Sequence, residues 1–109
     1  MQRKTQIYIK TQSWLAAIAA RKLNTPRVAL VIGHTVFLYG ASREEFLQSR
    51  SWRLHECRHV LQYEEWGMFR FLFLYVFDWM RKGYYHNRFE ADARRCEDAD
   101  AIETNVEWV

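Results

Sequence analysis

Residues 67–80, GMFRFLFLYVFDWM, constrain the fold more than any other stretch of this chain. The run is almost continuously apolar, yet it falls short of the roughly 18–20 residues that span a bilayer, and Arg70 and Asp78 interrupt it. Apolar on nearly every side, it predicts a helix from Met68 to Arg81 buried in the core, with contact to a membrane surface as the lesser alternative. The rest must wrap around it. At 109 residues, half of them hydrophobic and 17% aromatic, the chain has the size and composition of one folded domain and not of a disordered segment.

Punctuation residues divide the remainder. TQIYIK alternates Ile7 and Ile9 with polar neighbours and reads as a short first strand. Thr11 or Ser13 can cap a helix to about Leu23, whose Trp14, Leu15, Ile18 and Ala19 share one face; Asn24-Thr25-Pro26 ends it. RVALVI at 27–32 and TVFLY at 35–39, separated by Gly33-His34, form a hairpin signal. Ser42 and Glu45 make a capping box ahead of a short helical turn to about Gln48. Ser49 or Ser51 can start a further helix ending at Trp66-Gly67. Lys82-Gly83 closes the apolar helix, residues 84–87 read as a loop, and Arg88 to about Ala101 as a last helix with a charged outer face. The expected class is α+β, a single domain over 1–109: a small antiparallel sheet, the hairpin plus a third strand, packed on helices.

Bulk chemistry narrows the functions. A net charge of +3 with interspersed signs does not argue for nucleic acid. Arg50, Arg53, Arg58 and Arg88 keep a nucleic-acid-associated domain only as a distant third reading. Two cysteines make no disulfide framework, and the N-terminus lacks the apolar core of a secretory signal, so a cytoplasmic protein with reduced thiols is expected.

The chemistry concentrates in LHECRHVLQY at 54–63. On a helix, His55 and His59 lie about 40° apart and can converge on one cation, while Glu56 sits about 100° further round. Such a carboxylate addresses a metal-bound water without ligating the metal, the arrangement that hydrolysis requires: the metal acidifies the water and the carboxylate moves its proton. Cys57, about 200° away, faces the core. A catalytic metal needs a third protein ligand. A histidine-only pattern would require histidine at 65 and glycine at 62, where the chain has Glu65 and Gln62. Glu90, in the first turn of the last helix after Phe89, is the best candidate; Asp92 and His86 are rivals.

HECRH, a following helix and then the helix-borne Glu90 in FEADA resemble the gluzincin zinc peptidases, and most closely in order and spacing the single-domain minigluzincins. The resemblance covers most of the chain. It implies a zincin-like scaffold, one zinc held by His55, His59 and Glu90, and Glu56 as general base of a metalloendopeptidase. One departure matters: many gluzincins carry an aspartate four residues after the ligating glutamate to orient a zinc histidine, and here that position is Arg94. Asp92 or Asp98 would have to serve instead. The alternative is a catalytically silent zinc-binding interaction module on the same scaffold.

Further expectations follow. Tyr84, Tyr85 and His86 are candidate oxyanion donors. His34 should be exposed at the hairpin turn and Cys96 buried. Residues 35–39, centred on Val36, Phe37 and Leu38, are expected to be the open sheet edge to which a peptide or protein substrate adds as a strand. The tail 102–109, with Glu103, Glu107 and the terminal carboxylate of Val109, is either a frayed end or a segment that regulates the cleft. Nucleic acid is not an expected partner; a homodimer is compatible with the sequence.

Overall fold

The computed structural model describes residues 4–109. The first strand, β1 (Thr5–Lys10), leads into α1 (Trp14–Leu23), where the Ser13 hydroxyl accepts from the Ala16 amide at 3.3 Å and Asn24 ends the helix in a left-handed conformation. The hairpin follows as β2 (Val28–Ile32) and β3 (Thr35–Tyr39). Gly33, at φ +62°, takes the first central position of the two-residue turn, and a Cβ there would meet the Met68 side chain at 3.0 Å. Both halves of the expected capping box form at the start of α2 (Arg43–Gln48): Glu45 N donates to Ser42 Oγ at 3.1 Å, and Ser42 N to Glu45 Oε1 at 3.0 Å.

Three more helices follow: α3 (Arg50–Trp66), α4 (Met68–His86) and α5 (Arg88–Arg95). The apolar run of α4 does break at Lys82-Gly83, as expected. Helix resumes after a break at Gly83, whose φ of +79° only glycine adopts freely, and the residues expected to be loop form a last turn. α5 is shorter than its charge pattern suggests, because the chain turns at Cys96 and re-forms as a 3₁₀ turn at Asp100–Glu103.

The molecule is α+β, as expected, but its sheet is larger and mixed. Strand order is β2-β3-β1-β4, with β4 at Val106–Trp108. Only the hairpin is antiparallel; β1 pairs in parallel with β3 (Ile9 opposite Val36) and with β4 (Ile7 opposite Trp108). This corrects the assignment of Val36, Phe37 and Leu38 to the open edge. The chain leaves β1 through α1 and comes back as the hairpin, whose second strand pairs with β1, so TVFLY is internal and the open edge on that side is β2. The tail is neither frayed nor near the cleft. Its strand forms the opposite edge, Trp108 packs edge-on against Phe46 at 5.5 Å, and Arg43 donates to Val109 O.

The core gathers Ile7, Val36, Leu38, Phe46, Cys57, Val60, Phe71 and Phe89 between sheet and helices. Burial holds the Cys57 thiol up at about 12, so it is packing, not chemistry. Cys96 is only partly covered, less than expected. The larger correction concerns α4. Among its residues only Phe71 and Asp78 are buried, whereas Phe69, Phe73, Phe77 and Met80 face outward. The helix closes one side of the core and leaves its other side uncovered. Among the described residues no helix is long and apolar enough to cross a membrane.

Candidate metal centre

α3 carries the histidines inward because the same turns bury Leu54, Cys57, Val60 and Tyr63, which fixes the rotation of the helix against the core. α5 is positioned by Asn87. This side chain is fully buried; its Oδ1 accepts from the Phe89 and Glu90 amides at 2.8 and 3.3 Å, and its Nδ2 donates to Tyr75 O at 2.9 Å. It caps α5 and ties it to α4 in one stroke. Asp78 supports the same corner by accepting from Arg88 N at 2.8 Å. The consequence is that Glu90, in the first turn of α5, meets both histidines of α3.

Three ligand atoms, one each from His55, His59 and Glu90, lie within 4.8 Å of one another, and all three residues are buried. One carboxylate oxygen, Glu90 Oε1, stands 2.9 Å from His55 Nε2 and 3.0 Å from His59 Nε2. The far side of each ring is also anchored. His55 Nδ1 faces Glu97 Oε2 at 2.8 Å, and His59 Nδ1 faces Gln62 Oε1 at 2.8 Å. The Gln62 amide is fixed in turn, since its Nε2 donates to Phe89 O at 3.1 Å and Asp92 Oδ2 at 2.9 Å.

These partners decide what the pocket fits. Both Nδ1 positions meet acceptors, so each neutral imidazole carries its proton on Nδ1 and points an Nε2 lone pair at the carboxylate. Two lone pairs and an anion converging in a buried space demand positive charge between them. A metal ion supplies it, and the residues therefore fit one; without it the rings must take up protons instead. Burial opposes a charged His55, but Glu90, Glu56 and Glu97 outweigh it and push its pKa up to about 9. His59 is raised by Glu90 and Glu56, against burial and the neighbouring His55. Glu90 is held well below the usual carboxylate range: burial would raise it, and hydrogen bonds from both imidazoles and from Tyr75 prevail.

Glu56 stands beside this group and not in it. It lines the cleft with His59 and Glu90, and burial lifts its carboxyl to about 7 against the pull of the two imidazoles. The cleft, about 290 Å³, is walled by Val28–Ile32 of β2 on one side and by Leu72, Tyr75 and Trp79 of α4 on another. In a two-residue hairpin the closing pair, Ile32 and Thr35, bonds inward, as do alternate residues before it, so the backbone groups of Ala29 and Val31 face the open edge. Tyr63 occupies the Val31 carbonyl at 2.9 Å, which leaves the edge open around Ala29, next to Glu56.

Of the three expected oxyanion donors, only Tyr84 reaches the cleft, where burial together with Glu90 and Glu56 keeps its hydroxyl protonated well above neutrality. Tyr85 is exposed and stacks under the Arg94 guanidinium, 4.1 Å from its ring centroid; His86 is exposed against Tyr85 and takes no part in the triad. Arg94 therefore points away from the histidines, with its Nη2 on Tyr85 O. Asp92 is not a ligand. It acts at one remove, through Gln62, and is held by Arg58 Nε at 2.6 Å. Asp98 only offers its carbonyl to Arg50. Three of the four arginines that hinted at nucleic acid are neutralised: Arg50 by Asp100, Arg53 by Glu103, and Arg58 by Asp92. His34 is exposed as expected and pairs with Glu64 at 3.1 Å.

Sequence reasoning missed Glu97, Gln62, Asn87 and Tyr75. Glu97 lies past the end of α5, in the turn that follows Cys96, so helical spacing from Glu90 gives no signal for it. Asn87, three residues before Glu90, spells a helix start. Tyr75 is a hydroxyl inside a run of Phe and Leu, and a buried hydroxyl needs a partner; it donates to Glu90 Oε2. No protein-family model, curated protein or solved structure matches this chain. The site rests on its own geometry.

Proposed function

We propose that the chain is a zinc-dependent peptidase of gluzincin type, closest in kind to the minigluzincins. The observation that carries the reading is the meeting of a buried His-His-Glu group, two of whose members, His59 and Glu90, line the cleft, with a separate carboxylate on Glu56 and an open strand edge on the same cleft. His55, His59 and Glu90 would hold the metal, with Glu97, Gln62 and Tyr75 fixing their orientation. Zinc bound there supplies Lewis acidity, polarising the scissile carbonyl and acidifying a water.

The chain's own residues do the rest. Backbone groups around Ala29 accept an extended peptide beside β2, which brings its carbonyl past the triad. Glu56 takes the proton of the attacking water and returns it to the leaving amine. The Tyr84 hydroxyl donates to the oxygen on which charge develops.

The test is peptide hydrolysis by the zinc-loaded full chain against Glu56→Gln, on an unfolded protein and a quenched peptide mixture. The expected outcome is turnover that falls by roughly 10²–10⁴-fold in the variant with zinc content unchanged. Zinc retention with no turnover by the unaltered chain would favour the silent binding module instead.

A further inference from the structure

Nothing among the described residues covers the outer face of α4. Phe69, Phe73, Phe77 and Met80 are 84%, 69%, 50% and 77% exposed, and Val76 is 45% exposed. At three- and four-residue steps they form one stripe, about 16 Å long at 1.5 Å per residue. The rings of Phe73 and Phe77 stack parallel, 6.2 Å apart, in the open. A contiguous apolar surface of this kind marks a docking site, because single exposed hydrophobes are common but rows of them are not.

Charge around the stripe says what docks. Arg70 and Arg81 border it along one side, and neither has a carboxylate partner among the described residues. Arg81 lies over the Phe77 ring at 5.6 Å. The one acid of the helix, Asp78, is buried on the opposite side, bound to Arg88 N and 3.7 Å from Lys82. The acids just before the helix are engaged, Glu64 by His34 and Glu65 by Arg58 at 3.6 Å. A second copy laid antiparallel on this face would set Arg70 against Arg81 with no acid to separate them. An anionic, apolar partner meets both requirements, and the helix is too short and too interrupted to cross a bilayer.

We propose that α4 docks this protein on an anionic phospholipid surface, lying in the plane of the interface with its aromatic stripe among the acyl chains and Arg70 and Arg81 at the headgroups. This is the pattern of an interfacial amphipathic helix. The adjoining flank of the helix, Leu72, Val76 and Trp79, lines the cleft, so docking sets the cleft mouth beside the lipid. The inference stands independently of peptidase activity.

Flotation of the full chain with vesicles tests it. Binding is expected to vesicles of phosphatidylcholine with phosphatidylserine, and to be weaker on phosphatidylcholine alone or in high salt by roughly thirty-fold, the effect of two basic residues near such a surface. Phe69→Ser with Phe73→Ser should abolish flotation while leaving circular dichroism and melting nearly unchanged, since both rings are largely exposed. Arg70→Glu with Arg81→Glu should remove the preference for phosphatidylserine and leave the fold intact. Absence of flotation with every vesicle, or flotation unaffected by the paired serine change, overturns the proposal. So does a dimer in sedimentation velocity that the serine variant dissociates while no vesicle binds, which would identify the occupant as a second copy.

Discussion

Two adjacent helices invert the usual relation between composition and burial. α3 is spelled with histidine, glutamate, glutamine and arginine, yet it buries His55, Glu56, His59 and Gln62. α4 is spelled mostly with aromatic and other apolar residues, yet it buries only Phe71 and Asp78. The difference is one of partners. Each buried polar side chain of α3 is matched, and no buried side-chain nitrogen or oxygen among the described residues lacks a partner, so its desolvation is offset. Apolar surface, by contrast, is buried only where something lies against it. α4 has neighbours on one side.

Four substitutions probe that contrast, in descending order of effect. Glu90→Ala removes one of three protein ligands; since a bound zinc contributes ~10–16 kcal/mol in all, the loss should weaken zinc by roughly 10³-fold or more, read by chelator competition. Phe71→Ala, on the buried side of α4, should cost about 3–5 kcal/mol in urea unfolding, because it opens a cavity among Tyr63, Tyr75 and Phe89. Gln62→Leu keeps volume but frees the His59 ring, and zinc affinity should drop about 10–100-fold with the triad itself intact. Phe73→Ser, two residues from Phe71, should shift unfolding by no more than about 0.5 kcal/mol. Equal costs for Phe71 and Phe73 would erase the distinction between the two sides of the helix.

Much of this could be read from local signals. The caps at Ser13 and Ser42, the Gly33-His34 hairpin and the stop at Gly67 are short-range features, and each stands where the residues put it. The cluster of His55, His59 and Glu90 was legible because helical spacing aligns His55 with His59 and a glutamate opens the next polar helix. What failed depends on distant contacts. Nothing in TVFLY tells whether it will pair with β1, and nothing in ETNVEWV announces a strand until Ile7 offers an edge. α4 misled for a related reason: its composition describes what the helix is made of, not how much of the molecule lies on top of it. Glu97 was hidden by a helix end, since the chain turns just where the residue reaches back to His55.

The central claim is that two imidazoles and one carboxylate hold a single ion. X-ray absorption at the zinc edge of the loaded full chain tests it most directly. The account predicts one zinc per chain with only nitrogen and oxygen neighbours at ~2.0–2.2 Å, and an altered edge in Glu90→Ala. A sulfur neighbour at ~2.3 Å, drawn from Cys57 or Cys96, or a chain that retains no zinc, would contradict it.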